Sequence, residues 1–501
     1  MKRSIFYFLS ILLLAGSAMS EDEDSDATEA PQTGANSTIV PTDYICRACV
    51  CKDGMVNCNN QNVQDFFSAA DWAGLTDFKP LQVDLSNNEL KSVTHVLELP
   101  IEVLNLSRNS IDTMEKASFR DLQKIRVLDL SHNRLTSAAL SPHVFEGRYS
   151  PEEYEPLATM RTLSLAYNDL HSINQDLFEH LTELTELDMS GNPLMFIDHV
   201  TLIAISSLPQ LKVLRLRSCQ LKEIPDKFLH TPRYLERLDI SDNQLTAVPQ
   251  ELEETKNLVY LNINQNPIVR LDKKDEDFLG FPTLSKLKEL HMSNMPELTY
   301  IGEGTLSGLE NLESLHMCLN EKLSYIHPKA LARVDGSGEA YVWPTLKELY
   351  IHSNNLSEVD SRLVARWNLL EAIDVSNNPY LCECSTQWMV DVLTTVVEMK
   401  KENASSLMVC QEPIEMRGKT MKHLHDIHRT MRCVDKYGNR PERDGAILMG
   451  CLIGVLLAVP IMLTIVLLWR RGYFAWIGAS GPSDFHRAFY KRAPHDENNY
   501  I

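Results

Sequence analysis

Leu128-Asp129-Leu130-Ser131-His132-Asn133-Arg134-Leu135 reads L-x-L-x-x-N-x-L, and the phrase recurs along the chain. Copies stand at 83–90, 104–111, 163–170, 187–194, 238–245 and 349–356, with looser ones between them. Two apolar residues at period two make a short strand that sends both inward and the residue between them outward. The asparagine that follows offers an amide to the turning backbone, whose polar groups would otherwise be buried without partners. A helical repeat does not fit, because a two-residue alternation closed by Asn is not a helical period.

The Asn position gives a register mark at Asn88, Asn109, Asn133, Asn168, Asn192, Cys219, Asn243, Asn266, Met295, Asn320, Asn354 and Asn378, twelve units in all. Spacings of 21, 23, 24 and 25 residues dominate. Signature and period resemble the leucine-rich repeat. The resemblance implies an α/β leucine-rich repeat solenoid, with a concave parallel β-sheet and an irregular convex side. Phe119-x2-Leu122, Phe178-x2-Leu181 and Leu306-x2-Leu309 would fill that convex side. Twelve repeats are expected over 80–378. Two intervals are long, 133 to 168 and 320 to 354, and carry insertions near 139–157 and 333–344. Both insertions are expected to be loops pushed out from the stack.

Ahead of the first repeat stands Cys46-x2-Cys49-x-Cys51-x6-Cys58. Spacing so tight is also compatible with zinc, but an exported chain meets an oxidising lumen, which favours disulfides. Four cysteines allow three pairings. After the last repeat come Cys382-x-Cys384, Trp388, Cys410 and Cys433. A solenoid end exposes an apolar face and needs a cover. Both groups resemble the caps of extracellular leucine-rich repeat proteins, expected over 46–79 and 379–433. That resemblance implies the pairs Cys46–Cys51, Cys49–Cys58, Cys382–Cys410 and Cys384–Cys433.

Export is read from residues 1–20, where Lys2-Arg3 precede an apolar run from Ile5 to Leu14 and Ala18-Met19-Ser20 supply small residues. Residues 21–45 form an acidic leader poor in apolar side chains, expected to be disordered. A charged stalk at 434–445 leads into 446–469, which is apolar throughout and ends against Arg470-Arg471. At about 1.5 Å per residue such a helix crosses a bilayer. The expected arrangement is a single-pass type I plasma-membrane protein with a cytoplasmic tail at 470–501. A net charge of −20 argues against nucleic-acid partners.

Catalysis finds no motif, and no cofactor is expected. His423-x-His425-x2-His428 has spacing conceivable for a metal, but basic residues surround it and a solvated stretch is the reading adopted, so no metal site is assigned. Ligand contacts are expected on the strand face. Asp and Asn are ordinary between the two strand leucines, so departures carry the information. Two candidate patches follow. One is Arg215 with Arg217 and Arg237; the other is His291, His316, Tyr350 and His352, flanked by Tyr260.

Cys219 replaces the buried Asn and reads as a packed thiol. Cys318 is expected to point toward the concave solvent, as a free thiol or as a link to a second copy in a homodimer. Glycosylation sequons stand at Asn36, Asn105, Asn355 and Asn403. The terminal Ile501 offers a weak match to a PDZ groove or another cytosolic scaffold.

The chain as a whole resembles the transmembrane leucine-rich repeat receptors and adhesion proteins, similar to trophoblast glycoprotein and neuronal surface members. The resemblance implies a non-enzymatic protein that binds a protein ligand or surface receptor through its solenoid and signals through associated partners. The alternative is a co-receptor or decoy that tunes a secreted ligand's pathway.

Overall fold

A computed structural model describes residues 44–150, 153–275, 277, 279–338, 340–431, 433 and 441–471. The expected signal peptide, nearly all of the acidic leader, Asn36, the first part of the stalk and the tail with Ile501 lie outside the described residues.

Strands of three residues, from Gln82–Asp84 to Ala372–Asp374, stack in parallel, one per repeat. Val83, Leu104, Leu128, Leu163, Leu187 and Leu214 stand in one register, continued by Leu238, Leu261, Leu290, Leu315, Leu349 and Ile373. Each is buried while its two neighbours on the strand are partly exposed. Burying one such leucine contributes roughly 1.5–3 kcal/mol relative to leaving it in water.

Asparagines bind one turn to the next. Asn133 Nδ2 donates to the carbonyls of Leu106, Leu130 and Ser131 at 3.0, 3.0 and 3.2 Å. Its Oδ1 accepts the amide of Ile111 in the preceding turn at 3.0 Å. Asn168, Asn192, Asn243 and Asn266 repeat the pattern. At Cys219 the thiol stands in, with Sγ 3.4 Å from the carbonyls of Met189 and Arg217.

The residue just before each mark is left-handed. Asn87, Arg108, His132, Tyr167, Gly191, Ser218, Asp242, Gln265, Asn294, Leu319, Ser353 and Asn377 all have φ between 53° and 72°. Only Gly191 among them lacks a side chain, and a Cβ there would meet the Tyr167 ring at 2.4 Å. A non-glycine residue in this region costs roughly 1–2 kcal/mol. The strain recurs in every turn, held by the asparagine bonds.

Both ends are covered. Val50–Lys52 and Met55–Asn57 pair antiparallel, and the second joins the parallel sheet beside Gln82–Asp84. Cys46–Cys51 and Cys49–Cys58 bridge this segment, with Cα separations of 5.5 and 4.5 Å. Ser68 caps the helix Ala69–Ala73 through a reciprocal box with Asp71, and its Trp72 is buried against Phe67. At the other end Trp388 Nε1 donates to the Val359 carbonyl at 2.9 Å, and its ring lies 5.2 Å from that of Trp367. Cys382–Cys410 and Cys384–Cys433 join the strands and helices of this end. A 30-residue helix, Pro441–Arg470, runs through Pro460, and its stretch Ile447–Arg470 is long and apolar enough to cross a membrane.

The insertions depart from expectation. Neither is a simple loop; each holds an antiparallel hairpin, Arg148–Ser150 with Glu153–Glu155 and Arg333–Val334 with Tyr341–Val342. The first also sends Val144, Phe145 and Leu157 into the core, where Phe145 stacks on Phe119 at 5.9 Å. Arg148 ties that hairpin down through Asp121 at 2.8 Å and Glu98 at 3.0 Å. Burial raises the Asp121 pKa, but hydrogen bonds from Arg148 and His95 outweigh it and hold the carboxyl below its usual range. The second turns at Asp335, whose Oδ1 accepts the Ser337 amide at 3.1 Å, and at Gly338, whose φ is 78°. Both strand pairs are too short to show as alternation in sequence.

Candidate ligand surface on the strand face

Each three-residue strand presents two outward columns, one before and one after its buried leucine. The columns run across repeats at the spacing of the sheet, about 4.8 Å. Rings placed in neighbouring repeats therefore meet.

Four of the candidate residues form one row. The Tyr260 and His291 rings lie 5.2 Å apart, those of His291 and His316 4.2 Å, and those of His316 and Tyr350 4.6 Å. The last two pairs are stacked, within 18° of parallel. Arg237 extends the row, with its guanidinium carbon 4.0 Å from the centre of the Tyr260 ring, a cation–π contact. All four rings are half-buried, so each keeps a face or edge for a partner.

Polar neighbours set the electrostatics. Glu289 Oε1 stands 2.6 Å from His291 Nε2. Ser314 Oγ lies 3.0 Å from His316 Nε2 and donates to Glu348 Oε2 at 2.8 Å. Burial, then the neighbouring His291, lowers the His316 pKa. Burial, then Asp239 and Glu289, raises the phenol of Tyr260. Burial, then Glu348 and Asp374, raises that of Tyr350.

The arginine patch is looser. Arg215 makes its close ion pair with Glu186 on the adjacent strand, not with the flanking Asp188 or Asp239 of its own column. Arg217 is exposed two residues on, while Arg237 belongs to the ring row. His352 sits one column away, with Nδ1 3.1 Å from Ser353 Oγ.

Cys318 is half-buried, with its Sγ 3.2 Å from Ser293 Oγ, not directed into solvent as expected. It occupies the place held by the buried Ser241, Ser293 and Ser376 in other repeats, just after the second strand leucine. Cys219 is buried, and burial pushes its thiol up to about 12.

Asn105 is half-buried and uses Oδ1 to accept the Ser107 amide at 3.0 Å, whereas Asn355 and Asn403 are exposed. His423, His425 and His428 do not converge: His425 Nδ1 contacts the Val390 carbonyl at 2.9 Å, and its ring lies 6.4 Å from that of His428.

Sequence reasoning missed Glu289, Ser314 and Glu348, which stand in the column before the buried leucine. It also missed the stack of His132 on Tyr167, 4.4 Å apart. Both residues precede the asparagine mark, and only the left-handed turn brings their rings together. A column-by-column reading of every outward position would have found them.

Compared with known proteins, the leucine rich repeat model matches residues 99–148, 155–208 and 209–268. The transforming growth factor beta activator LRRC33 of Danio rerio is 27% identical over 248 residues, 45% of this chain and 33% of that protein. Podocan-like protein 1 of Mus musculus is 29% identical over 253 residues, 50% of this chain and 41% of that protein. The chain thus spans a third to two fifths of the length of these relatives. Among solved structures, the Drosophila Toll–Spatzle complex aligns with a TM-score of 0.47 at 18% identity, covering 74% of this chain and 57% of that one.

Proposed function

From the solenoid and its three leucine rich repeat matches we propose a single-pass, non-enzymatic cell-surface protein whose strand face takes a protein ligand. The observation that carries this reading is the row Arg237–Tyr260–His291–His316–Tyr350, which crosses five repeats without a break. Aromatic rings and arginine are the residue types that concentrate binding energy at protein interfaces. Half-buried rings lose little conformational freedom on contact, and the cost of ordering them has been met in folding.

The apolar helix near the C-terminus fits an anchor in the plasma membrane, with the solenoid outside. Signals would then pass through an associated receptor or scaffold, and Ile501 offers one weak attachment point. A second reading, modulation of a secreted ligand on the protein's own cell, draws support from the similarity to a growth-factor activator.

Proximity labelling and capture of partners from living cells tests the binding reading. Tyr350→Ala and Arg215→Glu should each reduce capture while leaving surface expression unchanged. Undiminished capture by both variants overturns the assignment of this face. Cell clustering then separates the two roles: an adhesion protein makes cells aggregate even without its tail, and a modulator does not.

A further inference from the structure

Glu289, His291 and His316 each offer one ligand atom, and the three atoms lie within 4.8 Å of one another. We propose that these residues bind a zinc-class divalent cation on the strand face, with a fourth coordination position left open on the outward side.

The donor set is two imidazoles and one carboxylate. That set suits zinc, which takes His nitrogen at about 2.0–2.1 Å and carboxylate oxygen at about 2.0–2.2 Å, and three protein ligands leave a position for water or another donor. Glu289 and His291 share one strand, two residues apart, so both project from the same face. His316 comes from the adjacent strand, where it stands opposite His291 in register. Glu289 Oε1 and His291 Nε2 are 2.6 Å apart and share a proton or an ion pair. Around a tetrahedral ion they would open to roughly 3.3 Å, given those bond lengths. The stacked imidazoles must also turn to aim their lone pairs at one point. Rotation about the outer torsion of His is soft.

An outer contact is already in place. Ser314 Oγ sits between His316 Nε2 and Glu348 Oε2. Contacts of this kind fix the orientation of a ligating imidazole. The binding step displaces whatever proton the Glu289–His291 pair shares and releases it to solvent.

The site lies on the proposed ligand surface but stands on its own geometry. Loss of partner capture with metal binding intact, or the reverse, separates the two ideas. The test uses the full chain in nanodiscs, stripped of metal and titrated with Zn2+ by calorimetry and with Co2+ by visible absorption. One ion per chain is expected, with the intense visible bands of a four-coordinate Co2+. His291→Ala and His316→Ala should each weaken Zn2+ binding by on the order of a hundredfold, and Ser314→Ala by about tenfold. Tyr167→Ala, whose ring stacks on His132 and not on the site, should leave it unchanged, and circular dichroism checks that each variant is folded. Absence of a one-to-one site overturns the proposal. So does binding that survives in the His291→Ala/His316→Ala double variant, including binding lost only on replacement of His423, His425 and His428.

Discussion

The side-chain carbonyl of Asn133 accepts the amide of Ile111 across the boundary between two repeats, at 3.0 Å. On its other side the same amide group pairs three carbonyls, one of them again in the preceding repeat. Asn133→Ala strands the buried Ile111 amide, while the carbonyls of Leu106, Leu130 and Ser131 each keep a second donor in Asn109 Nδ2, Asn168 Nδ2 and the Arg108 amide. One unsatisfied buried group costs about 1–3 kcal/mol, so the variant should lose on the order of 1–3 kcal/mol. In a stack where each repeat leans on its neighbours, such a loss lowers the denaturation midpoint of the whole domain. A midpoint within error of the parent chain would show that the asparagine bonds are dispensable.

The same turn predicts a gain at Leu319. Its φ is 61°, its side chain is 49% exposed, and its backbone amide is held by the His352 carbonyl at 3.1 Å. A branched apolar residue thus sits where asparagine or glycine is at home, with little burial to compensate. Leu319→Asn should raise stability by about 1 kcal/mol, read as a higher denaturant midpoint with an unchanged slope. Lower stability would mean that the exposed leucine packs more than its surface area indicates.

Sequence legibility follows from how local each feature is. The strand register was readable because L-x-L-x-x-N places three constrained residues within six, and each copy reports the same geometry. The row of His291, His316 and Tyr350 was readable for the same reason, since one column repeats at one offset. Glu289, Ser314 and Glu348 escaped because they belong to the other column, and what links them into one cluster is pairing between strands 25 and 34 residues apart. The hairpin at Arg148–Ser150 escaped because its anchor, Asp121, lies in an earlier repeat. Cys318 was misplaced because the turn after the second strand leucine bends its side chain back toward Ser293.

Among the described residues, the two solenoid thiols without disulfides should differ sharply toward a maleimide. Cys219 is buried and its thiol is pushed up to about 12, so almost no thiolate forms at neutral pH and no reagent reaches it. Cys318 is half-buried at the strand face. Native labelling should therefore modify Cys318, with Cys219 modified only after denaturation, as mass spectrometry of the digested chain would read directly. Cys318→Ser should remove native labelling of the solenoid and any disulfide-linked dimer seen without reductant. Labelling of Cys219 in the folded chain at a comparable rate would contradict the burial found here.

Acid should open the C-terminal cap through Glu398. Its carboxylate takes Lys422 Nζ at 2.6 Å, accepts from the Ser405 hydroxyl, and accepts the Asn403 amide at 2.9 Å. Lys422, then the Ser405 hydroxyl, holds its pKa at about 2, below the ordinary 4.5. A carboxyl with a depressed folded pKa contributes stability that is complete above its unfolded pKa and is lost as pH falls through the folded one. The window is therefore about pH 4.5 down to about 2. Glu313, held by Lys288 and Lys347, loses its contribution over the same range, so a whole-chain midpoint would mix the two. The difference in tryptophan emission between the parent and a Trp388→Phe variant isolates the cap, because Trp367 and Trp388 pack together there and the other four tryptophans contribute to both chains. Emission should shift to the red on acidification through this window. Glu398→Gln should be less stable than the parent at pH 7 and converge with it near pH 2. Parallel acid profiles for parent and variant would place the acid-sensitive group elsewhere.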